Sequence, residues 1–121
     1  MEPVVISEQE GELSCSRILN CEVKLEKKEE FVKVIKSEVL PILRKQTGFL
    51  EILPFFPEKM REEKVFTISL WATTADAERY EKEFYPKVLN ILKPYLTATV
   101  NVAHYNLETT LCRNFVEALV A

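Results

Sequence analysis

Few side chains in this sequence could take part in chemistry. His104 is the only histidine and could act as a general base, although a hydrogen-bonded histidine in or beside the core fits its position better. Tyr80 and Tyr85 could each donate a phenolic hydrogen bond to a quinone-like oxygen, or belong to the core. Trp71 could stack on an aromatic substrate or anchor the next helix. With Asn20, these are our candidates for lining a ligand pocket, and spacing alone assigns no catalytic residue among them.

Motifs for phosphate and metal chemistry are missing from the sequence. The only glycines are Gly11 and Gly48, so no glycine-rich loop can hold a nucleotide phosphate. The sequence contains no HExxH motif and no cluster of metal ligands. We therefore expect neither phosphoryl transfer nor metal-dependent hydrolysis, and we predict no metal and no cofactor.

The charge balance and the N-terminal segment limit the partners. Lys and Arg total 16 against 19 Asp and Glu, a formal net charge of -3, which provides no positive field for nucleic acid. Met1 to Ser16 lacks a basic region followed by an apolar stretch, and no apolar run approaches the ~20 residues that span a bilayer. The sequence predicts a cytoplasmic protein that binds neither nucleic acid nor membranes.

The three cysteines form neither a disulfide framework nor a zinc motif. Cys15, Cys21 and Cys112 are an odd number and include no CxxC pair. If Cys15 and Cys21 share a strand, they lie roughly 20 Å apart, whereas a disulfide needs Cα atoms within about 7 Å. We predict reduced cysteines that pack as small buried residues.

The hydrophobic period changes from two to between three and four along the first third of the chain. Apolar and polar residues alternate from Ser16 to Leu25, which predicts a strand. From Glu26 to Gln46 the apolar residues recur every three or four positions, which predicts an amphipathic helix. Pro41 should kink this helix, and Gly48 should end it in the left-handed conformation.

Strand and helix patterns alternate again in the rest of the chain. Phe49 to Phe56 and Val65 to Trp71 predict two strands, the first fraying at Pro54. A threonine at position 73 or 74 should cap a second helix, which Pro86 interrupts. Alternation from Thr97 to Leu107 predicts a fourth strand, and a short terminal helix follows from residue 110.

This order, β-α-β-β-α-β plus a terminal helix, predicts the α+β class and a ferredoxin-like antiparallel sheet with both helices on one face. We assign residues 14–121 to this single domain and residues 1–13 to a flexible N-terminal arm. The second sheet face is then bare, and its mixed, partly aromatic character predicts a homodimer that pairs two sheets. Its expected residues are Asn20, Thr67, Ser69, Trp71, Asn101 and Tyr105.

A family resemblance covers roughly Cys21 to Glu108. It rests on two segments, VKLEKKEEFVKVIKSEVLPILRKQTGFLEI and VFTISLWATTADAERYEKEFYPKVLNILKPYL. The shared features are Gly48 and Phe49 after the first helix, a strand that ends in Trp71, and a second helix that opens with small polar residues. These segments resemble the antibiotic biosynthesis monooxygenase domain family. The resemblance implies a dimeric α/β barrel in which two such sheets face each other.

The family's activities are diverse, so the resemblance leaves two hypotheses for this chain. Its members include cofactor-free monooxygenases of polycyclic aromatics, haem-degrading enzymes and proteins without an assigned activity. In the haem-degrading branch, the site contains an Asn on the first strand and a Trp and an iron-binding His near the second helix. Asn20 is the counterpart of that Asn and Tyr80 lies near the Trp position, but no His occurs between Trp71 and Ala103. Haem ligation is therefore not implied.

The first hypothesis is a cofactor-independent monooxygenase, or a related isomerase or cyclase, that acts on a small aromatic or polyketide-like molecule. The second is a non-catalytic dimeric module that binds a hydrophobic metabolite or serves only a structural role. A roomy cavity with converging Tyr, His and Asn side chains would favour the enzyme. A cavity filled by Phe55, Phe66 and Leu92 would favour the module.

Overall fold

A computed structural model describes residues 15–59, 61–98 and 100–120 of the chain. It is built on a four-stranded sheet of strand order β2-β3-β1-β4, in which every neighbouring pair is antiparallel. The strands are β1 (Cys15–Glu22), β2 (Phe49–Phe55), β3 (Lys64–Trp71) and β4 (Asn101–Asn106). The predicted ferredoxin-like arrangement is confirmed. The predicted N-terminal arm, residues 1–13, lies outside the described residues.

Helical segments connect the strands. Between β1 and β2 lie a 3-10 turn (Leu25–Lys27), α1 (Lys28–Val34), a π turn (Ile35–Val39) and α2 (Leu40–Arg44). After β3 come α3 (Thr74–Glu83), α4 (Tyr85–Leu92) and a 3-10 turn (Lys93–Tyr95), and β4 is followed by α5 (Arg113–Val120). None of the helices in the described ranges is long and apolar enough to cross a membrane.

Pro41 accounts for the irregular first helix. Proline has no backbone N–H, and its ring crowds the carbonyl of the preceding turn. The helix widens into the π turn at Ile35–Val39, where the N–H of Leu40 donates to the carbonyl of Ile35. The distortion therefore takes the form of a π turn on the N-terminal side of the proline.

Gly48 and Thr73 set the geometry around the two helices. Gly48 has a φ of +84°, the predicted left-handed conformation, and its carbonyl accepts a hydrogen bond of 2.7 Å from the N–H of Ala72. A Cβ at this position would overlap the carboxylate of Asp76. Thr73 is the cap of α3, because its Oγ1 accepts a hydrogen bond of 3.0 Å from the N–H of Asp76.

The core lies between the helices and one face of the sheet. Alternate residues of β1 and β3 supply the sheet side, since successive side chains of a strand point to opposite faces. Cys15 and Cys21 belong to this core and are free and buried, as predicted. The helices contribute Phe31, Val34, Val39, Leu43, Ala77, Tyr80, Val88 and Leu92.

The faces of β3 are the reverse of the prediction. Thr67, Ser69 and Trp71 were expected on the bare face, but they pair in register with Leu19, Arg17 and Cys15 on the helix side. The alternation along β3 separates two sets of residues without saying which set faces the helices. The burial of Trp71 shows which set faces the helices. Its large apolar ring is buried in the core, whereas Phe66 lies on the open face.

Candidate functional site

The structure distributes the five predicted site residues over both sides of the sheet. Trp71, Tyr80, Tyr85 and His104 lie on the helix side, whereas Asn20 lies on the open side, opposite Asn101 of β4. The five residues therefore do not form one pocket.

Trp71 and Tyr80 have the contacts of core residues. Trp71 is 0% exposed and Tyr80 is 3% exposed, and their rings stack with centroids 5.0 Å apart. The indole N–H of Trp71 donates to Ser69 Oγ at 3.0 Å. Burial raises the pKa of Tyr80 to about 12, so its phenol stays protonated. The two rings fill the space beneath α3.

Arg17 is a buried charge next to these rings that sequence reasoning missed. It is 2% exposed, with its guanidinium carbon 5.1 Å from the ring centroid of Tyr80 and 4.7 Å from that of Tyr85. Its Nε donates to Glu81 Oε2 at 2.5 Å. A signal was present in the sequence, because Arg17 occupies an inward position between Cys15 and Leu19, and arginine is rarely fully buried unless it is paired.

Glu81 connects Arg17 to His104. Its Oε2 lies 2.6 Å from His104 Nε2, so Arg17 and His104 both contact the same carboxylate oxygen. Burial by itself would raise the pKa of Glu81, but the hydrogen bonds and charges of Arg17 and His104 hold it below its ordinary value. Because Glu81 is ionised, we assign a hydrogen to Nε2 of His104, and Nδ1 has no hydrogen-bond partner among the described residues. No sequence signal identified Glu81, which lies in a charged stretch of α3.

A pocket of about 370 Å³ lies where Glu81 and His104 meet, between α3 and the edge strand β4. This volume is at the lower end of the range of small-molecule sites, roughly 300 to 1,000 Å³. Burial raises the pKa of Cys15 in its wall, although a hydrogen bond with Thr74 acts in the opposite direction. The lining residues are Cys15, Thr74, Ala77, Glu78, Glu81, His104, Tyr105 and Asn106.

A second pocket, of about 460 Å³, lies on the open side of the sheet. Its floor is one cross-strand row of four residues, in which Phe55 pairs with Phe66, Phe66 with Asn20, and Asn20 with Asn101. The two phenyl rings lie 6.0 Å apart. Asn20 is thus separated from the other predicted residues by the sheet itself.

Metal ligands do not cluster in the described part of the chain, where no group of three His, Cys, Asp or Glu side chains is placed to hold an ion. Glu81 and His104 are two such groups in contact, but Arg17 already occupies the carboxylate. The pair is therefore better suited to moving a proton than to holding a cation.

Comparison with known proteins identifies the fold. No family model matches the chain, and no curated protein sequence matches it either. Solved structures do match. SnoaB, a cofactor-independent oxygenase from Streptomyces nogalater, has a TM-score of 0.62 and 17% identity, with 80% of this chain and 95% of that chain covered.

Two further solved structures carry ligands. A monooxygenase of Streptomyces coelicolor in complex with nanaomycin D has a TM-score of 0.64 at 12% identity, with 78% of this chain and 87% of that chain covered. The haem degrader MhuD of Mycobacterium tuberculosis, with two haems in its active site, has a TM-score of 0.61 at 17% identity, with coverage of 78% and 95%. At such identities the likeness concerns the fold.

Proposed function

From the fold that this chain shares with antibiotic biosynthesis monooxygenases, we propose that it is a cofactor-independent monooxygenase acting on a small aromatic or polyketide-like molecule. One observation carries the proposal. His104 and an ionised Glu81 form a hydrogen-bonded pair in the wall of a pocket large enough for a small ligand. The side chain of His104 is 55% exposed, so a substrate can reach it.

The proposed reaction begins with proton transfer to His104. Nδ1 accepts a proton from a phenolic or enolic substrate, and the Glu81 carboxylate stabilises the imidazolium that forms. The substrate anion then donates electrons to dioxygen. One oxygen atom replaces two hydrogens of a substrate CH₂ group to give a carbonyl, and the other leaves with those hydrogens as water.

The test is oxygen consumption with a panel of anthrones, which carry the CH₂ group that this reaction oxidises, and no added cofactor. We expect turnover by the wild-type chain and a loss of about 10²-fold or more in kcat for His104→Ala, the scale of general base catalysis. Glu83→Gln, which changes an exposed carboxylate of α3 outside this pocket, is the matched control. Equal rates for wild type and His104→Ala would contradict the proposal.

The filled interior favours the second candidate, a dimeric module without catalysis. Trp71 and Tyr80 occupy the space between sheet and α3 and leave it closed to an aromatic ligand. Quenching or shifting of the fluorescence of Trp71, the only tryptophan, on titration with the same panel would report binding. Binding by a chain that consumes no oxygen would select this candidate.

We also propose that two copies pair through the open sheet face and that the chain works in the cytoplasm. The exposed apolar side chains of Phe55 and Phe66 on this face support the pairing, and the free cysteines support a reducing compartment. Light scattering at micromolar concentration should give a dimer for the wild type. Phe66→Asp should give a monomer, whereas Val32→Asp, which changes an exposed apolar residue of α1, should not.

A further inference from the structure

Arg17 is a full charge removed from water. An arginine that is 2% exposed has lost nearly all of its hydration, which is costly unless a partner of opposite charge compensates. In the described part of the chain the only carboxylate paired with Arg17 is that of Glu81. An apolar residue at this inward position would fill the core without the cost of burying a charge. Packing alone therefore does not explain why an arginine is found here.

The surroundings of Arg17 orient its guanidinium. The rings of Tyr80 and Tyr85 both lie close to the guanidinium carbon, at 5.1 Å and 4.7 Å from their centroids. Its Nη2 is buried and has no hydrogen-bond partner among the described residues. The planar group is therefore held by the two rings, and its directed hydrogen bond from Nε goes to Glu81.

The positions of Arg17 and His104 in the sheet explain why both reach the same carboxylate. They are directly opposite each other in β1 and β4, on the helix side, and both contact Oε2 of Glu81. The backbones of β1 and β4 fix the positions of Arg17 and His104. Glu81, in contrast, is a long side chain on α3 with several rotatable bonds. A second hydrogen bond removes that freedom.

We propose, on the basis of the function proposed above, that Arg17 is a positioning residue that holds Glu81 against His104 and so keeps the base aligned with the pocket. Arg17 contacts neither substrate nor dioxygen in this scheme. Its effect passes through Glu81, so its loss lowers the rate of proton transfer while substrate binding is largely retained.

The first test uses the fact that His104 is the only histidine, which makes its ring signals unambiguous in a ¹H–¹⁵N spectrum. In the wild-type chain we expect a downfield Nε2–H proton that the bond to Glu81 protects from exchange. Arg17→Met should broaden or remove this signal, and Arg17→Lys, which keeps the charge but not the planar Nε–H, should weaken it less.

Arg79→Met is the matched control. Arg79 lies on the same helix as Glu81, but its side chain is 46% exposed and its ion pair, at 2.9 Å, is with Asp76. Its replacement should leave the His104 signal unchanged. Near-ultraviolet circular dichroism checks that each variant is folded. If Arg17→Met does not fold, the same comparison is made with Arg17→Lys.

The second test is kinetic. Arg17→Met should lower kcat about 10-fold and change KM by less than about 2-fold, the pattern of an interaction that acts in the transition state. When Arg17→Met is combined with Glu81→Gln, kcat should fall no further than in Glu81→Gln alone. Both substitutions act through the same contact between Glu81 and His104.

An unchanged Nε2–H signal in folded Arg17→Met would overturn the inference, as would additive losses in the double variant. The spectrum needs no substrate. If the wild type turns over no substrate, the proposed reaction fails, and the spectrum still decides whether Arg17 positions the Glu81–His104 pair.

Discussion

The ring of Trp71 at the end of β3 stacks on the ring of Tyr80 in α3, with the centroids 5.0 Å apart and the planes inclined by 28°. Phe49 of β2 also contacts Trp71, edge-on, with the ring centroids 5.5 Å apart. Three consecutive elements of the chain thus meet in one aromatic cluster. The cluster fixes α3 on the sheet and thereby sets where Glu81 lies.

Tyr80→Ala should destabilise the chain by about 3 to 5 kcal/mol, because it removes a buried ring and leaves a cavity beside Trp71. Tyr80→Phe keeps the stacked ring and should change the free energy of unfolding by less than about 1.5 kcal/mol. Urea unfolding followed by the fluorescence of Trp71 measures both. A loss below about 1 kcal/mol for Tyr80→Ala would mean that the stack contributes little.

Glu81 should make stability depend on pH on the acid side. Its pKa in the folded chain is lowered, so the unfolded chain takes up protons first as the pH falls. The contribution is therefore fully present above the ordinary glutamate pKa of about 4.3 and is lost as the pH falls through the folded value.

The comparison of wild type with Glu81→Gln isolates this contribution. The difference between their free energies of unfolding should be large near neutral pH and should shrink as the solution is made more acidic. A difference that stays constant from neutral to acid pH would contradict the assignment.

Gly48→Ala should destabilise the chain for two separable reasons. The φ of +84° costs a residue with a Cβ about 1 kcal/mol, and the new methyl group would overlap the carboxylate of Asp76. A double-mutant cycle with Asp76→Ala separates them, because removing the carboxylate relieves the overlap and leaves the backbone cost. If Gly48→Ala lowers the free energy of unfolding equally in the wild type and in Asp76→Ala, the overlap with the carboxylate does not contribute.

The three thiols should differ in reactivity. Burial raises the pKa of Cys21 to about 11 and also raises that of Cys15, so both are poor nucleophiles near neutral pH. Cys112 is only half-buried. A thiol reagent should modify Cys112 quickly, and Cys15 and Cys21 only when the chain unfolds. Cys112→Ser should therefore remove the fast phase of the reaction. Rapid modification of Cys15 in the folded chain would show that its pocket opens.

Most of the fold could be predicted from the sequence because its signals are local. Period-two alternation identified β1 and β3, and the left-handed Gly48 and the Thr73 cap follow from backbone chemistry that neighbouring residues determine. Element ends were less accurate. The fourth strand, predicted from Thr97, begins at Asn101.

The site could be predicted only in part. His104 and Tyr80 were identified by residue type, but Arg17 and Glu81 were not. The inward position of Arg17 was a signal that went unused, whereas Glu81, 64 positions away, looks like an ordinary surface charge. Their pairing depends on α3 packing across β1. Asn20 was grouped with residues that the sheet separates from it, since the sequence does not state which face a strand turns inward.

The sequence by itself determined the class of the domain, the order of its strands and helices, and the residue types available for chemistry, since these depend on periodicity and composition. Only the tertiary structure decided that Arg17, Glu81 and His104 meet, and that Trp71 is buried while Phe66 is exposed. The physical reason is that alternation divides a strand into two faces, whereas the packing of the whole core chooses the buried face and so decides which distant charges must neutralise each other.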